Sequence, residues 1–176
     1  MKAQPVKRQP QRPRPSATVA PKLVAVDGRA LEPSIQVESL YDVASELPPL
    51  FVRYGREFDK PSDPDWTSLL RMTAAGQLKL VTVRDNGLLV GFAFTTISPH
   101  LMFKSVMYGF THAVWLDPAY RSGWLPVKFL RFNLERLKEL GCQRVSIGRN
   151  VHWPRLDKVY RRLGYELEEL LYVRTL

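Results

Sequence analysis

The sequence predicts an α/β domain that follows a basic, proline-rich arm. Three features of the chain favour this fold class: segments in which apolar and polar residues alternate, an Asn-Gly turn between two of them, and a long amphipathic segment after them. A length of 176 residues with 45% apolar residues suits one domain with a substantial core. We therefore expect an arm over residues 1–33 and one domain over residues 34–176.

The arm contains six of the chain's fourteen prolines, seven Lys or Arg residues, two carboxylates and no aromatic residue. Such a segment buries too little apolar surface to offset its ordering entropy, so alone it should be disordered. Two alternatives stay open. The arm is either a solvated basic tail or a segment ordered by a partner, with residues 23–26 adding as an edge strand to a neighbour. Its charge also suits contact with nucleic acid phosphates.

The first part of the domain is expected to hold one strand and two helices. Residues 34–39 alternate as a half-buried strand does. Residues 42–58 have a helical pattern that an internal Pro-Pro pair should break or kink. A second helix should start with Asp63 as N-cap and Pro64 in the first helical position, and Gly76 can cap its C-terminus.

Three strands should follow these helices. Residues 78–84 alternate, and residues 88–97 return as their partner strand. Asn86 and Gly87 lie between them and tolerate the positive φ values of a tight hairpin turn. Residues 104–116 are rich in β-branched and aromatic residues, which predicts a further long strand.

The clearest helix spans residues 126–140 and should end at Gly141. Its apolar positions recur at intervals of three and four residues and so share one face. They are Val127, Leu130, Leu134 and Leu137. We further expect a strand over residues 143–148, a helix over 154–163 and a last strand over 165–175.

This order of elements, with Pro-x-Tyr-Arg before the long helix and Tyr-x-x-x-Gly-Tyr near the end, resembles the GNAT superfamily of acetyl-CoA-dependent N-acyltransferases. The phrase Leu-Gly-Tyr-Glu at residues 163–166 is similar to one in the short GNAT-like proteins of tailed bacteriophages. The resemblance covers residues 34–176. It implies a mixed, mostly antiparallel sheet flanked by helices, with acetyl-CoA as the cofactor and amine acylation as the activity.

The resemblance places the cofactor pyrophosphate on the loop before the long helix, where family members carry small residues. Arg121, Ser122 and Gly123 match this loop and are the predicted cofactor-binding residues. Trp124 and Pro126 occupy two of the small-residue positions, and Pro126 also lacks an N–H donor. Pro126 equally suits the first turn of a helix, and Trp124 is either a surface anchor for a partner or a cap on the core.

The same resemblance implies an acid and a base for acyl transfer. Family members often use a Tyr four residues before the Gly of the late motif, and Tyr160 matches this position as the acid. The adjacent Arg161 and Arg162 either favour a phenolate there or are simply solvated. His112 is the only ionisable candidate for the base in the middle of the strand before the loop. Each of these two residues also has a purely structural alternative.

Other residue types narrow the chemistry. The three His residues are far apart in sequence, so we expect no metal site. Cys142 is the only cysteine and is either a small buried hydrophobe or a reactive thiol. No window approaches eighteen consecutive apolar residues, and we expect no membrane span.

Three functions fit the sequence. The first is an acetyltransferase with a degraded phosphate loop. The second is a catalytically inactive virion or assembly protein of a bacteriophage, which binds neighbouring virion proteins through residues 1–33. The third is a nucleic-acid-binding accessory protein. We expect a location in the virion or the host cytoplasm, and a homo-oligomer fits each function.

Overall fold

The computed structural model describes residues 33–174, so most of the predicted arm lies outside the described residues. Five strands form one sheet in the order β1-β2-β3-β4-β5. Neighbouring strands are antiparallel except β4 and β5, which are parallel. The strands are β1 (Ser34–Glu38), β2 (Leu78–Asp85), β3 (Leu88–Pro99), β4 (Met107–Leu116) and β5 (Arg144–Ile147). The helices are α1 (Leu40–Val43), α2 (Leu47–Glu57), α3 (Trp66–Ala74), α4 (Leu125–Glu139) and α5 (Leu156–Arg162). The predicted fold class is confirmed.

The helix predicted over residues 42–58 is two helices, α1 and α2. The prolines do not kink a continuous helix, because they lie in the first turn of α2, where a missing N–H group costs no intrahelical hydrogen bond. The side chain of Ser39 caps α1 by accepting a hydrogen bond from the backbone N–H of Tyr41 at 3.2 Å. The chain therefore turns between the two short helices, at residues 44–46.

The start predicted for α3, the second helix of the sequence analysis, is wrong by two residues. Asp65, and not Asp63, is the N-cap, and its carboxylate accepts a hydrogen bond from the backbone N–H of Ser68 at 3.0 Å. Both aspartates flank Pro64 in the sequence, and only the geometry of the cap distinguishes them. The predicted end of the helix is confirmed, since Gly76 has a φ of +69° just beyond it.

The strand predicted over residues 165–175 does not form in the part that the structure describes. Residues 165–174 have no regular secondary structure. Leu167, Leu170, Leu171, Tyr172 and Val173 are 71–91% exposed. The apolar residues of this segment are consecutive rather than alternating, so they do not define one buried face. The β-forming side chains of this segment therefore have no surface against which they pack.

Two apolar layers enclose the sheet. On one face, α1, α2 and α3 pack against buried aromatic side chains of β3 and β4, among them Phe92, Phe94 and Trp115. On the other face, Phe129 of α4 is 1% exposed and packs among the small apolar residues of β2 and β3. Cys142 is buried, and burial raises the pKa of its thiol, which favours the structural role over the reactive one. No helix within residues 33–174 is long and apolar enough to cross a membrane.

Candidate functional site

The parallel strands β4 and β5 separate part of the way along the sheet. Their pairing ends with Thr111 opposite Ile147, while β4 continues to Leu116 along β3. Within the described part of the chain, residues 112–116 therefore have no strand partner on the β5 side. We call this opening the split. The unpaired backbone groups along it can hydrogen-bond an extended ligand that carries amide groups.

A β-bulge in β4 lies next to the split. Phe94 pairs with Ala113 and Thr95 pairs with Thr111, so His112 has no partner on β3. A bulge of this kind inserts one residue and turns it onto the same face as its neighbour. His112 and Ala113 consequently both face α2 and α3.

A cavity of about 270 Å³ opens on that face, between the sheet and helices α2 and α3. We call it the aromatic cavity, because Phe51, Tyr54, Phe92 and Phe94 form much of its wall. Its remaining lining residues are Ser62, Pro64, Asp65, Ser68, Leu69, His112 and Ala113. Burial raises the pKa of Tyr54, so its phenol stays neutral. The cavity thus joins an apolar wall to a few polar groups, as small-molecule sites do.

The imidazole of His112 is held in one orientation. Its Nε2 lies 2.8 Å from the hydroxyl of Thr96, and that hydroxyl donates to the carbonyl oxygen of Phe110 at 3.4 Å. Because a hydroxyl has one proton to donate, we assign the proton of the ring to Nε2, which leaves the lone pair on Nδ1. Desolvation by the surrounding protein lowers the pKa of His112 below its usual 6.5. The ring is therefore neutral and basic near pH 7.

Tyr160 of α5 stands on the β5 side of the split. Its hydroxyl donates to the carbonyl oxygen of Gly148, the residue directly after β5, at 3.2 Å. Burial raises the pKa of Tyr160 to about 12, so the phenol keeps its proton at neutral pH. Arg161 and Arg162 are exposed and do not produce a phenolate; the nearby positive charge that lowers this pKa in part is Arg149.

The structure brings His112 and Tyr160 to opposite sides of the same opening. Thr111 and Ile147 are the last paired residues, so His112 and Gly148 are the first residues beyond the pairing. Tyr160 is bonded to Gly148, and His112 lines the aromatic cavity. A neutral base and a protonated phenol thus flank the opening into which an extended ligand fits.

The loop from Asp117 to Trp124, which we call the helix-entry loop, connects β4 to α4. The side chain of Asp117 caps a short 3-10 helix over Pro118–Tyr120. The hydroxyl of Tyr120 donates to the carboxylate of Asp85 at 2.6 Å, and this hydrogen bond is the main reason that the pKa of Tyr120 is raised to about 12. Gly123 has a φ of +70°, in the left-handed region that favours glycine. The hydrogen bond between Tyr120 and Asp85 ties the β2–β3 hairpin to the helix-entry loop.

Arg121 is engaged within the protein. Its Nε donates to the carbonyl oxygen of Leu116 at 2.6 Å, and its guanidinium forms an ion pair with Glu57 of α2. Glu57 also accepts a hydrogen bond from the indole of Trp115 at 2.7 Å. These contacts use three of the five N–H donors of the guanidinium, so two donors remain for a phosphate. Glu57 is a carboxylate beside β4 that the sequence did not reveal, because it comes from a distant helix.

The N-terminus of α4 offers an incomplete anion site. Ser122 and Gly123 are exposed, and the first helical turn leaves backbone N–H groups without intrahelical partners. Pro126 removes one of these donors. Trp124 is 65% exposed, so it does not cap the core, and the guanidinium of Arg162 lies 5.9 Å from its ring. These residues fit one phosphate of a nucleotide carrier, and the split fits its amide-containing arm.

The aromatic cavity is the part of the site that the sequence did not show. In the sequence, only the spacing of aromatic residues indicates this cavity. Phe51 and Tyr54 lie three residues apart on α2, and Phe92 and Phe94 lie two residues apart on β3. Each pair shares a face of its element, yet nothing local indicates that the two faces meet around a space. Among residues 33–174 no group of His, Cys, Asp and Glu has the arrangement of a metal site.

Solved structures of acetyltransferases have the same fold as this chain. An aminoglycoside acetyltransferase from an uncultured soil metagenomic sample is 15% identical with a TM-score of 0.67, over 82% of this chain and 96% of that one. A ribosomal-protein-alanine N-acetyltransferase from Brucella melitensis is 16% identical with a TM-score of 0.64, over 82% and 99%. Glucosamine-6-phosphate N-acetyltransferase from Arabidopsis thaliana is 14% identical with a TM-score of 0.63, over 82% and 99%. No family model and no curated protein sequence matches the chain. The chain thus has the GNAT acetyltransferase fold.

Proposed function

We propose that this protein transfers an acetyl group from acetyl-CoA to an amine held in the aromatic cavity. The observation that carries the proposal is the arrangement at the split, where His112 on one side and Tyr160, through Gly148, on the other flank the first unpaired residues. Acetyltransferases with this fold are the structural neighbours, which supports the reaction class by analogy alone.

The two side chains have complementary proton roles. An amine attacks only after it loses a proton, and His112 can accept that proton at Nδ1 because its lowered pKa keeps the ring neutral. A departing thiolate needs a proton, and Tyr160 holds one on its hydroxyl because its pKa is about 12. Thr96 keeps the imidazole oriented through the hydrogen bond to Nε2.

The residues that would hold acetyl-CoA lie along β4 and at the start of α4. Bound there, it supplies an activated acetyl thioester. Backbone groups of residues 112–115 can bond its amide-containing arm, while Ser122, Gly123 and the N–H groups of the first turn of α4 can bond one phosphate. The contribution of Arg121 to this phosphate site stays a prediction, since Glu57 holds its guanidinium.

The test is a thiol-release assay with acetyl-CoA and a panel of primary amines. We expect amine-dependent release, and we expect His112→Gln to lower the rate about 10²- to 10⁴-fold, the usual contribution of a general base. His152→Gln is the matched control, because His152 is an exposed histidine that does not line the cavity. Equal rates in the two variants would remove His112 from the chemistry.

A second candidate function is that of a catalytically inactive bacteriophage assembly protein with the same fold. The helix-entry loop favours it: Pro126 lacks a donor, Arg121 is held by Glu57, and Trp124 presents a large exposed apolar surface. In this case the arm, residues 1–33, binds neighbouring virion proteins or nucleic acid, and the protein resides in the virion rather than only in the host cytoplasm.

Calorimetry separates the two candidates. Titration with acetyl-CoA should give a dissociation constant below about 100 μM, roughly −5.5 kcal/mol, if the protein is an acetyltransferase. The absence of binding heat would contradict the enzyme and favour the assembly protein. Deletion of residues 1–33 then tests the assembly role, since unchanged incorporation of the truncated chain into purified particles would exclude it.

A further inference from the structure

We propose that the acceptor is a primary amine carried on a small apolar group, such as a single aromatic ring on a short chain, without a carboxylate or a phosphate. This inference rests on the proposed acetyl transfer and narrows it to one chemical class. It follows from the size, the wall and the charges of the aromatic cavity, each of which limits what can enter.

The wall of the cavity is fixed by ring-to-ring packing. The ring of Phe51 lies 5.2 Å from that of Phe92 at 90° and 5.7 Å from that of Phe94. Phe92 and Phe94 are 5.5 Å apart. Phe51 and Phe94 are at most 7% exposed, and Phe92 is fully buried, so repacking would disturb the core. The cavity therefore presents a preformed apolar surface that suits an apolar ligand.

The cavity is open on one side, and its volume suits a small acceptor group. Its approximately 270 Å³ lies below the range of about 300–1,000 Å³ that is typical of sites for drug-sized ligands. A polyhydroxylated sugar of similar size is unfavourable for another reason. A hydroxyl that enters an apolar wall without a partner costs about 1–3 kcal/mol, and the rings of Phe51, Phe92 and Phe94 offer no such partner.

The charged groups at the cavity favour a cation and disfavour an anion. No Lys or Arg is among its lining residues. Asp65 lies at its edge, and hydrogen bonds from Ser68 lower the pKa of that carboxyl, so it is ionised at neutral pH. An ammonium group also gains from the faces of aromatic rings. A carboxylate or phosphate on the acceptor would meet Asp65, and Arg71, whose positive charge acts on that carboxylate, does not line the cavity.

Matched pairs of amines test this class. We expect kcat/KM for phenethylamine to exceed that for ethylamine at least about 30-fold, because the ring buries apolar area. Phenylalanine has the same ring with an added carboxylate, and its kcat/KM should be at least about tenfold lower than that for phenethylamine. Glucosamine and glucosamine 6-phosphate should be poorer still. A preference for either sugar would overturn the acceptor class while acetyl transfer itself would stand.

A cavity-filling variant tests the location without relying on turnover. Leu69 lines the cavity, so Leu69→Trp should weaken phenethylamine binding at least about tenfold in calorimetry without acetyl-CoA. Leu88 is 71% exposed on the hairpin, and Leu88→Trp is the matched control. Binding that Leu69→Trp weakens, together with no transfer to any amine, would support the cavity and contradict the proposed function. Equal binding by both variants would overturn the cavity as the acceptor site.

Discussion

The aromatic cavity lies against the middle of β4 and the helix-entry loop follows its last residue, and the two regions use their side chains differently. In the cavity, buried rings enclose a space, and His112 is the ionisable group of β4 that faces it. In the loop, Arg121 is bound to Glu57 and the indole of Trp124 is 65% exposed. In the aromatic cavity the rings are packed and a base stays accessible. In the helix-entry loop the cation is held in an ion pair and the aromatic ring is exposed.

The two regions correspond to the two binding sites that the proposed acetyl transfer requires, one for the acceptor and one for the phosphorylated cofactor. The cavity has a preformed wall, a neutral base and a limited volume, so a small acceptor needs little reorganisation to bind. The loop lacks one backbone donor at Pro126, and three of the five N–H donors of Arg121 are engaged within the protein, so it offers fewer donors to a phosphate.

The largest expected effect compares one aromatic residue from each region. Phe92→Ala should lower the free energy of unfolding by about 3–5 kcal/mol, because the ring is fully buried and leaves a cavity. Trp124→Ala should change it by no more than about 0.5 kcal/mol, because most of the indole is exposed. Urea denaturation measures both variants. Equal losses of stability would show that Trp124 is as structural as Phe92.

Local patterns were sufficient to predict most of the elements. The φ values of +50° at Asn86 and +81° at Gly87 confirm the hairpin turn. The buried positions Val127, Leu130 and Leu137 confirm the apolar face of α4. The prediction of the last strand was wrong because the apolar residues at 170–173 are consecutive and define no buried face, and because a strand also needs a partner edge, which depends on the rest of the fold.

The site was less predictable, because its geometry depends on contacts between distant segments. The resemblance to the GNAT superfamily was enough to select Tyr160 and His112 as candidates, but the sequence does not show the bulge that turns His112 toward α2 and α3. Glu57 lies 64 residues before its partner Arg121, so its ion pair could not be inferred from spacing. Burial of Tyr160 likewise depends on tertiary packing, and its effect on the pKa outweighs that of the nearby Arg149.

The second expected effect concerns the acid at the split. Tyr160→Phe removes the hydroxyl that holds the proton, and we expect kcat to fall about 10²-fold with little change in stability. Tyr165 provides the matched control, because its ring lies 5.6 Å from that of Tyr160 and its hydroxyl has no assigned proton role. An equal loss in Tyr165→Phe would show that the hydroxyl of Tyr160 has no special role as the proton donor.

A smaller effect is expected in the helix-entry loop. Pro126→Ala restores a backbone N–H group in the first turn of α4, and a hydrogen bond to a charged phosphate is worth about 1.5–3 kcal/mol. Some of this is lost because proline also prepares the backbone for the helix. We expect acetyl-CoA to bind about tenfold more tightly in calorimetry. Unchanged affinity would mean that the phosphate does not contact this turn.

The smallest expected effect concerns the hydrogen bond that orients His112. Thr96→Val removes the hydroxyl 2.8 Å from Nε2, and a hydrogen bond of this kind is worth about 0.5–1.5 kcal/mol, so kcat/KM should fall about two- to tenfold at the plateau. Thr67→Val is the control, because Thr67 is exposed on α3 and does not line the cavity. A comparable loss in both variants would contradict a positioning role for Thr96.

The pH dependence of kcat/KM shows whether the hydrogen bond between Thr96 and His112 affects activity through the basicity of the imidazole. The neutral imidazole accepts the proton, so activity should be lost as the pH falls through the pKa of His112. Desolvation lowers that pKa, which places the acid limb below the usual 6.5. Tyr160, with a pKa of about 12, should add no basic limb near neutral pH. An acid limb above 6.5 would contradict the desolvation of His112. In that case the cavity would not shield the imidazole from water, and the contrast with the helix-entry loop would be reduced to packing alone.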